Sequence, residues 1–400
     1  MSNPPHLGGG VRATDRTEGV TRQAIACGPL PLSSCGGYTG VMSNAPLPDA
    51  ARLNWVDARA PEALKPWLKL GRFDRPIGIW LLLLPGWQGI VLAMAQYGTT
   101  PGQNVLGQNV PGHYHLWLFA AFAVGACLMR AAGCAFNDIV DRDFDAKVAR
   151  TADRPIPSGR ISVKQAWAFI IGCSLISLLI LLTLNLMAVM LGVASLALVA
   201  AYPFMKRITW WPQAWLGMTF NWGALMGFAA ASPIVVGNLL PPSITYEPDL
   251  LAHLMAGVGD YAAPDQYYVS AVFPGFLSAL LLWLGGVFWT LGYDTIYALQ
   301  DIEDDAMVGV KSSARRLGAG VGRGVSVFYV LAVVFALAAG LIAGLGPLFW
   351  LGLALYAVHL FRQVRRLRLD DAPLALKLFK SNREAGLILL AALALGSISF

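Results

Sequence analysis

The sequence predicts an all-α membrane protein, a bundle of about nine transmembrane helices with its working face on the cytoplasmic side. Three observations carry this. Hydrophobic residues make up 56% of the 400-residue chain and charged residues 13%, about half the charged share of a soluble domain. With a mean hydropathy of +0.57, the apolar excess has to face lipid. Nine stretches approach the ~20 apolar residues needed to cross a hydrocarbon core, and all 29 Lys and Arg residues fall at alternate ends of them. The same composition excludes a disordered chain, a collagen and a secreted disulfide scaffold. Five cysteines form no CxxC pair, and the five histidines lie away from the acidic segments, so neither a zinc site nor a His-based triad is suggested.

Taken in order, residues 1–62 form a polar leader rich in Gly, Pro and Ser, expected to be flexible and without the apolar core of a signal peptide. Arg12, Arg16 and Arg22 would suit a transit peptide, but Asp15 and Glu18 interrupt them. The alternative is translation from Met42, which would make residues 1–41 a start-site artefact. The nine-helix domain then covers residues 63–400. Its spans are Pro76–Tyr97, His115–Phe136, Ala166–Thr183, Met187–Phe204, Pro212–Val236, Tyr267–Tyr293, Val325–Gly344, Leu345–Phe361 and Ala385–Phe400. Leu184-Asn185-Leu186 and Gly344-Leu345-Gly346-Pro347 read as tight hairpins, since Gly and Pro stop helices and reverse the chain.

Orientation follows from the basic residues. The segment before the first span, the links after the second, fourth, sixth and eighth, and Arg130 hold every Lys and Arg. The alternate links hold none, which puts the N-terminus in the cytoplasm. The net charge of +6 is therefore a consequence of topology, and no nucleic-acid partner is implied.

Chemistry is expected where a lipid-adapted sequence turns polar. The second span runs into Asn137-Asp138-Ile139-Val140-Asp141-Arg142-Asp143-Phe144-Asp145, and the sixth into Asp294-Thr295-Ile296-Tyr297 and then Asp301-Ile302-Glu303-Asp304-Asp305. At 3.6 residues per turn, Asn137, Asp141 and Asp145 share one helix face, and Asp294, Tyr297, Asp301 and Asp305 another. Like charges so spaced repel, and a cation should offset them. A set of carboxylates and one carboxamide suits Mg²⁺, which takes one or two carboxylates and substrate phosphate oxygens; two such faces would hold metal around a diphosphate. Lys147, Arg150, Arg154, Arg160 and Lys311 follow the clusters and suit diphosphate oxygens, though basic residues there also act as plain topology signals. Arg130 lies inside an apolar run, seven residues before Asn137. A desolvated intramembrane charge marks a functional position, unless it snorkels to the interface.

With these residues in view, the chain resembles the UbiA superfamily of intramembrane aromatic prenyltransferases over about residues 65–400. The carriers are N-D-I-V-D-R-D-F-D, R-T-A-D-R-P-I-P-S-G from Arg150 to Gly159, and Y-D-T-I-Y-A-L-Q-D-I-E-D-D-A-M-V-G-V-K-S-S. R-F-D-R-P-I-G (Arg72–Gly78) and Y-P-F-M-K-R (Tyr202–Arg207) resemble the branch whose acceptor is 4-hydroxybenzoate. The resemblance implies Mg²⁺ on Asn137, Asp138, Asp141, Asp145, Asp301 and Asp305, with Asp294, Asp301 and Asp141 catalytic. It implies polyprenyl diphosphate and 4-hydroxybenzoate as substrates, bound by Arg130, Arg142, Lys147, Arg150, Arg154, Arg207, Tyr297 and Lys311. Arg207 would meet the aromatic carboxylate, Asp294 would hold or deprotonate the phenol, and Tyr297 and Tyr293 would line the chamber. The product would serve ubiquinone biosynthesis, in a bacterial inner membrane or, as second choice, a mitochondrial one. No obligate protein partner is expected. Other acceptors, haem, homogentisate or a naphthoate, are the alternative within the family. An ion-coupled transporter is the alternative outside it, disfavoured because the polar residues gather at one membrane face rather than the midplane.

Overall fold

A computed structural model describes residues 54–97, 113–146, 151–232, 264–300, 302, 309 and 311–398, with backbone only for 113, 144 and 264–275. The described residues are helical and contain no strand. Two short helices, α1 (Trp55–Arg59) and α2 (Lys65–Leu70), precede the bundle. α1 lies within the stretch assigned to the leader, yet it is anchored. Asn54 caps it by accepting from the Asp57 N–H at 2.9 Å, Val56 is fully buried, and Lys69 of α2 reaches Asp57 at 2.7 Å.

The bundle comprises α3 (Ile77–Tyr97), α4 (His113–Asp145), α5 (Val163–Leu181), α6 (Leu186–Ile208), α7 (Pro212–Ala231) and α8 (Pro264–Tyr297), the last followed by a 3-10 turn, Ala298–Gln300. After it come α9 (Ser313–Leu317), α10 (Val321–Ile342), α11 (Pro347–Arg366), α12 (Ala372–Lys380) and α13 (Asn382–Gly396). Helices therefore occupy all nine expected stretches. Among the described residues, six are long and apolar enough to cross a membrane, and the count of nine spans is not established. The three that fall short have physical reasons. α7 is largely buried against its neighbours and needs little lipid-facing surface. α11 ends in Arg362, Arg365 and Arg366, and α13 has 15 residues, about 22 Å at 1.5 Å each.

Both hairpins lie where the sequence puts them. Asn185 caps α6 by accepting from the Ala188 N–H and donates to the Ala229 carbonyl of α7 at 2.7 Å. Gly344 takes a left-handed φ of 66°, and the Gly346 N–H donates to the Gly396 carbonyl at 2.8 Å.

Two rings of helices share the α3–α7 edge. One runs α3, α7, α8, α10, α11, α13 and back to α3; the other is formed by α3 to α7. The shared edge is backbone against backbone. A Cβ on Gly89 would lie 2.1 Å from the Ala224 carbonyl oxygen, and one on Gly227 2.2 Å from that of Gly86, the small-residue contact that membrane helices use. Polar links fix the first ring: Asn221 donates to Thr290 at 2.8 Å, and Trp289 to Asn382 at 2.9 Å. The second ring is hollow.

Candidate active site

α4 has 33 residues, about 50 Å, so one helix carries the chain from the far membrane face into the acidic motif. Asp138, Asp141 and Asp145 are buried at 0%, 2% and 9% exposure, and every one of them is met by cations. Arg72, in the turn before α3, donates to Asp138 at 2.6 Å. Arg154, in the link after α4, donates to Asp145 at 2.6 Å and to Asp138 at 3.4 Å. Lys206 hydrogen-bonds Asp141 Oδ2, and Arg207 donates to Asp141 Oδ1 at 3.3 Å. The acids thus divide between two sets of neighbours. Helical spacing groups Asp141 with Asp145, whereas packing turns Asp141 to the end of α6 and leaves Asp145 with Asp138 on Arg154.

Burial pushes the Asp145 carboxyl up, and the neighbouring Asp138 and Asp141 add to this against the pull of Arg154. Burial works most strongly against the Arg72 charge, but Asp138 together with Cys134, Asp74 and Asp145 outweighs it, and the guanidinium is held above its ordinary value. Asp74 is raised by burial to about 6, opposed by Arg72, and burial lowers Arg75 to about 10.

Inside the second ring lies a cavity of about 700 Å³. Arg72, Arg75, Asn137, Asp138 and Arg154 line its polar end. Its walls are apolar and come from α3 to α7. Val193, Leu175 and Leu196 line it while remaining 51–56% exposed, so the cavity opens sideways between α5 and α6. Arg130 also lines it, with its guanidinium over the Phe220 ring at 5.5 Å. A Cβ on Gly78 would come within 2.7 Å of Arg130 Nε. The Arg130 side chain therefore turns inward against α3 and α7 and does not snorkel.

Of the other expected site residues, Tyr297 lines the cavity and packs on Phe379 of α12 at 4.6 Å between ring centroids. Asp294 sits partly buried one turn earlier on α8. Asp141, Asp145, Arg207 and Asp294 stand outside the cavity lining, and three further expectations lie elsewhere. Arg142 faces outward and pairs with exposed Asp143, because it follows Asp141 by one residue and so points away from the buried face. Lys311 Nζ donates to the Ile208 carbonyl at 3.1 Å. Tyr293 is packed in the core between Trp289 and Phe379. Asp301, Asp305, Lys147 and Arg150 lie outside the described residues, and with them the second acidic motif.

Sequence reasoning passed over Arg72, Arg75 and Lys206 as site residues. Arg72 and Arg75 flank Asp74 immediately before a span, a signal as strong as that of Arg130. Lys206 was hidden among the cations that orient span four.

The residues present fit a hard divalent cation. Asp138 Oδ2 is buried without a hydrogen-bond partner, Asn137 lines the same cavity end, and both offer oxygen, the donor Mg²⁺ prefers. Among the described residues no three carboxylates stand close enough to form a metal cage, in keeping with Mg²⁺ sites completed by phosphate oxygens and water.

A membrane-embedded helical chamber with an acid–arginine end and a lipid-open apolar trough defines an enzyme acting on an anionic head carried by a lipid tail. The sequence profile of the UbiA prenyltransferase family matches residues 98–389, and the chain belongs to that family. It is 36% identical over 379 residues to the mitochondrial 4-hydroxybenzoate polyprenyltransferase of Mus musculus, covering 92% of this chain and 87% of that one. The corresponding protein of Caenorhabditis elegans is 40% identical over 83% of this chain and 78% of its own length. Among solved structures, the fold is similar to that of a UbiA homolog from Aeropyrum pernix K1, with a TM-score of 0.56 and 23% identity over 78% of this chain and 96% of that one. A digeranylgeranylglyceryl phosphate synthase is similar at a TM-score of 0.53 and 18% identity, over 85% of this chain and all of the other.

Proposed function

We propose that this protein transfers a polyprenyl group from polyprenyl diphosphate to the ring of 4-hydroxybenzoate, ortho to the hydroxyl. The observation that carries this is the union of an arginine-lined polar end with an apolar trough that opens to lipid. Such a cavity takes a charged head and a tail too long for a closed pocket. The names of the curated relatives supply the acceptor, and their mitochondrial setting favours the second of the two expected membranes.

In this reading Arg72, Arg75 and Arg154 bind the diphosphate oxygens. Asn137, Asp138 and Asp141, with Asp301 and Asp305, would hold Mg²⁺. When bound, the metal supplies positive charge that stabilises the departing diphosphate. The C–O bond from the prenyl C1 breaks with its electron pair going to the diphosphate, and the electron-rich ring carbon bonds to C1. The ring proton then passes to the released diphosphate, which restores the aromatic ring, and Asp294, one turn before Tyr297 on α8, holds the phenol during attack. Arg130 and the Tyr297 ring border the chamber where water must be excluded.

The test is transfer of label from 4-hydroxybenzoate into a lipid-extractable product by purified protein in nanodiscs with polyprenyl diphosphate and Mg²⁺. The expected product requires metal and disappears in Asp138→Asn. A folded protein that forms no such product refutes the reading.

A further inference from the structure

Asp141 differs from its two acidic neighbours. Asp138 and Asp145 are held by Arg72 and Arg154, whose side chains are only 8% and 15% exposed and line the cavity. Asp141 is 2% exposed, and its partners come from the end of another helix: Lys206 at 29% and Arg207 at 42% exposure. Each takes one carboxylate oxygen. Both are long side chains less enclosed than the arginines that line the cavity.

Their backbone cannot swing. The Lys311 N–H donates to the Lys206 carbonyl at 2.9 Å, and Lys311 Nζ to that of Ile208. Gln213 Oε1 accepts from the Ser313 N–H at 3.0 Å. The corner between α6 and α7 is thus clamped to the chain that returns from the second acidic motif. Side chains at this corner can change partners without moving the helix end.

We infer that Asp141 withholds Arg207 and Lys206 from the anionic substrates until a divalent cation takes over its carboxylate. This rests on the prenyl transfer reading above, and it orders the reaction: metal and diphosphate load first, the aromatic acid second. Asp141 cancels one of the two positive charges and occupies both head groups, so the pair attracts a benzoate less than it would with the carboxylate engaged elsewhere. Once the carboxylate turns to the metal, Arg207 becomes a bidentate donor for the acid and Lys206 a point charge for the diphosphate. The device also keeps the benzoate out of a chamber that holds no donor.

The experiment measures 4-hydroxybenzoate binding to full-length protein in nanodiscs by equilibrium dialysis, with no chemistry taking place. The arms are metal-free protein and protein with Mg²⁺ and inorganic pyrophosphate. Wild type should bind the acid about tenfold more tightly in the second arm, within the usual range of coupling between sites. Asp141→Asn should bind it tightly without metal and lose the response, and Arg207→Gln should bind weakly in both arms. By reciprocity, the acid should tighten Mn²⁺ binding by the same factor, read from the free-ion electron paramagnetic resonance signal. Wild-type affinity for the acid that is equal in both arms overturns the inference, whatever the variants do. If prenyl transfer is nonetheless observed, the reaction stands and only the ordering falls. Absence of acid binding in every arm, Asp141→Asn included, removes both.

Discussion

Arg72 is the one described residue other than glycine with a left-handed backbone, at φ 59°. An L-residue there costs about 1–2 kcal/mol, a cost that glycine escapes. Its guanidinium meets Asp138 at 2.6 Å, with side-chain exposures of 8% and 0%. Removing one partner of such a buried pair costs about 3–5 kcal/mol, because the other charge stays behind; Arg154 at 3.4 Å puts the effect at the lower end. Two substitutions separate strain from charge. Arg72→Ala loses the pair and keeps the strain, with an expected loss of about 3 kcal/mol. Arg72→Gly loses the pair and releases the strain, and should be about 1 kcal/mol more stable than the alanine variant. Denaturant unfolding in detergent, followed by tryptophan fluorescence, measures both. Equal stability of the two variants would refute the strain, and stability of both equal to wild type would refute the ion pair. Both should have lost prenyl transfer, since the backbone is held in a costly conformation to aim this guanidinium at the cavity.

Three further outcomes are expected. Gly78→Ala puts a methyl 2.7 Å from Arg130 Nε and should lower kcat about tenfold or more by displacing that side chain, with little change in Tm; steady-state kinetics and thermal unfolding check it. Asp74, raised by burial to about 6 from 3.8, binds its proton more tightly folded than unfolded, so its contribution is present below pH ~4 and lost as pH rises through ~6, by at most about 3 kcal/mol. Asp74→Asn should flatten that part of the stability profile measured between pH 4.5 and 8. Gly89→Ala forces a methyl to 2.1 Å from the Ala224 carbonyl oxygen, an overpacking that should cost about 1–3 kcal/mol and lower Tm without altering the residues that line the polar end.

Much of the fold was legible because it depends on single-residue chemistry that the membrane enforces. Asn185 and the Gly344–Pro347 run mark their hairpins since a helix end in lipid must satisfy its backbone at once, and capping residues are few. The alternation of Lys and Arg assigns each helix an expected direction across the membrane. The first acidic motif was legible for a related reason: carboxylates adjoining an apolar helix have no structural use that water would not serve better. What was not legible depends on partners distant in sequence. Arg72 reads as an ordinary arginine, and its left-handed backbone would have been expected only of glycine. Spacing along α4 groups Asp141 with Asp145, whereas packing separates them, because a helix face is about 100° wide and its neighbours decide which edge of it they meet. α6 presents Lys206 and Arg207 to one edge, and the loop after α4 presents Arg154 to the other.

That division of the acids explains an arrangement that otherwise looks wasteful. Three carboxylates buried near the polar end of a lipid-open chamber would repel one another. Four cations from three separate segments meet them: Arg72 before α3, Arg154 after α4, and Lys206 with Arg207 at the end of α6. A site designed only for stability would replace the whole set with apolar residues, since buried ion pairs rarely outdo good packing. In the proposed reaction these cations are the groups a diphosphate needs, and Arg72 and Arg154 already line the cavity end. Preorganised charge costs little reorganisation when the leaving group takes on its negative charge. In the prenyl transfer reading, the instability stored in this network is the source of its catalytic use, and the turn at Arg72, strained and buried, is where that exchange is most exposed to measurement.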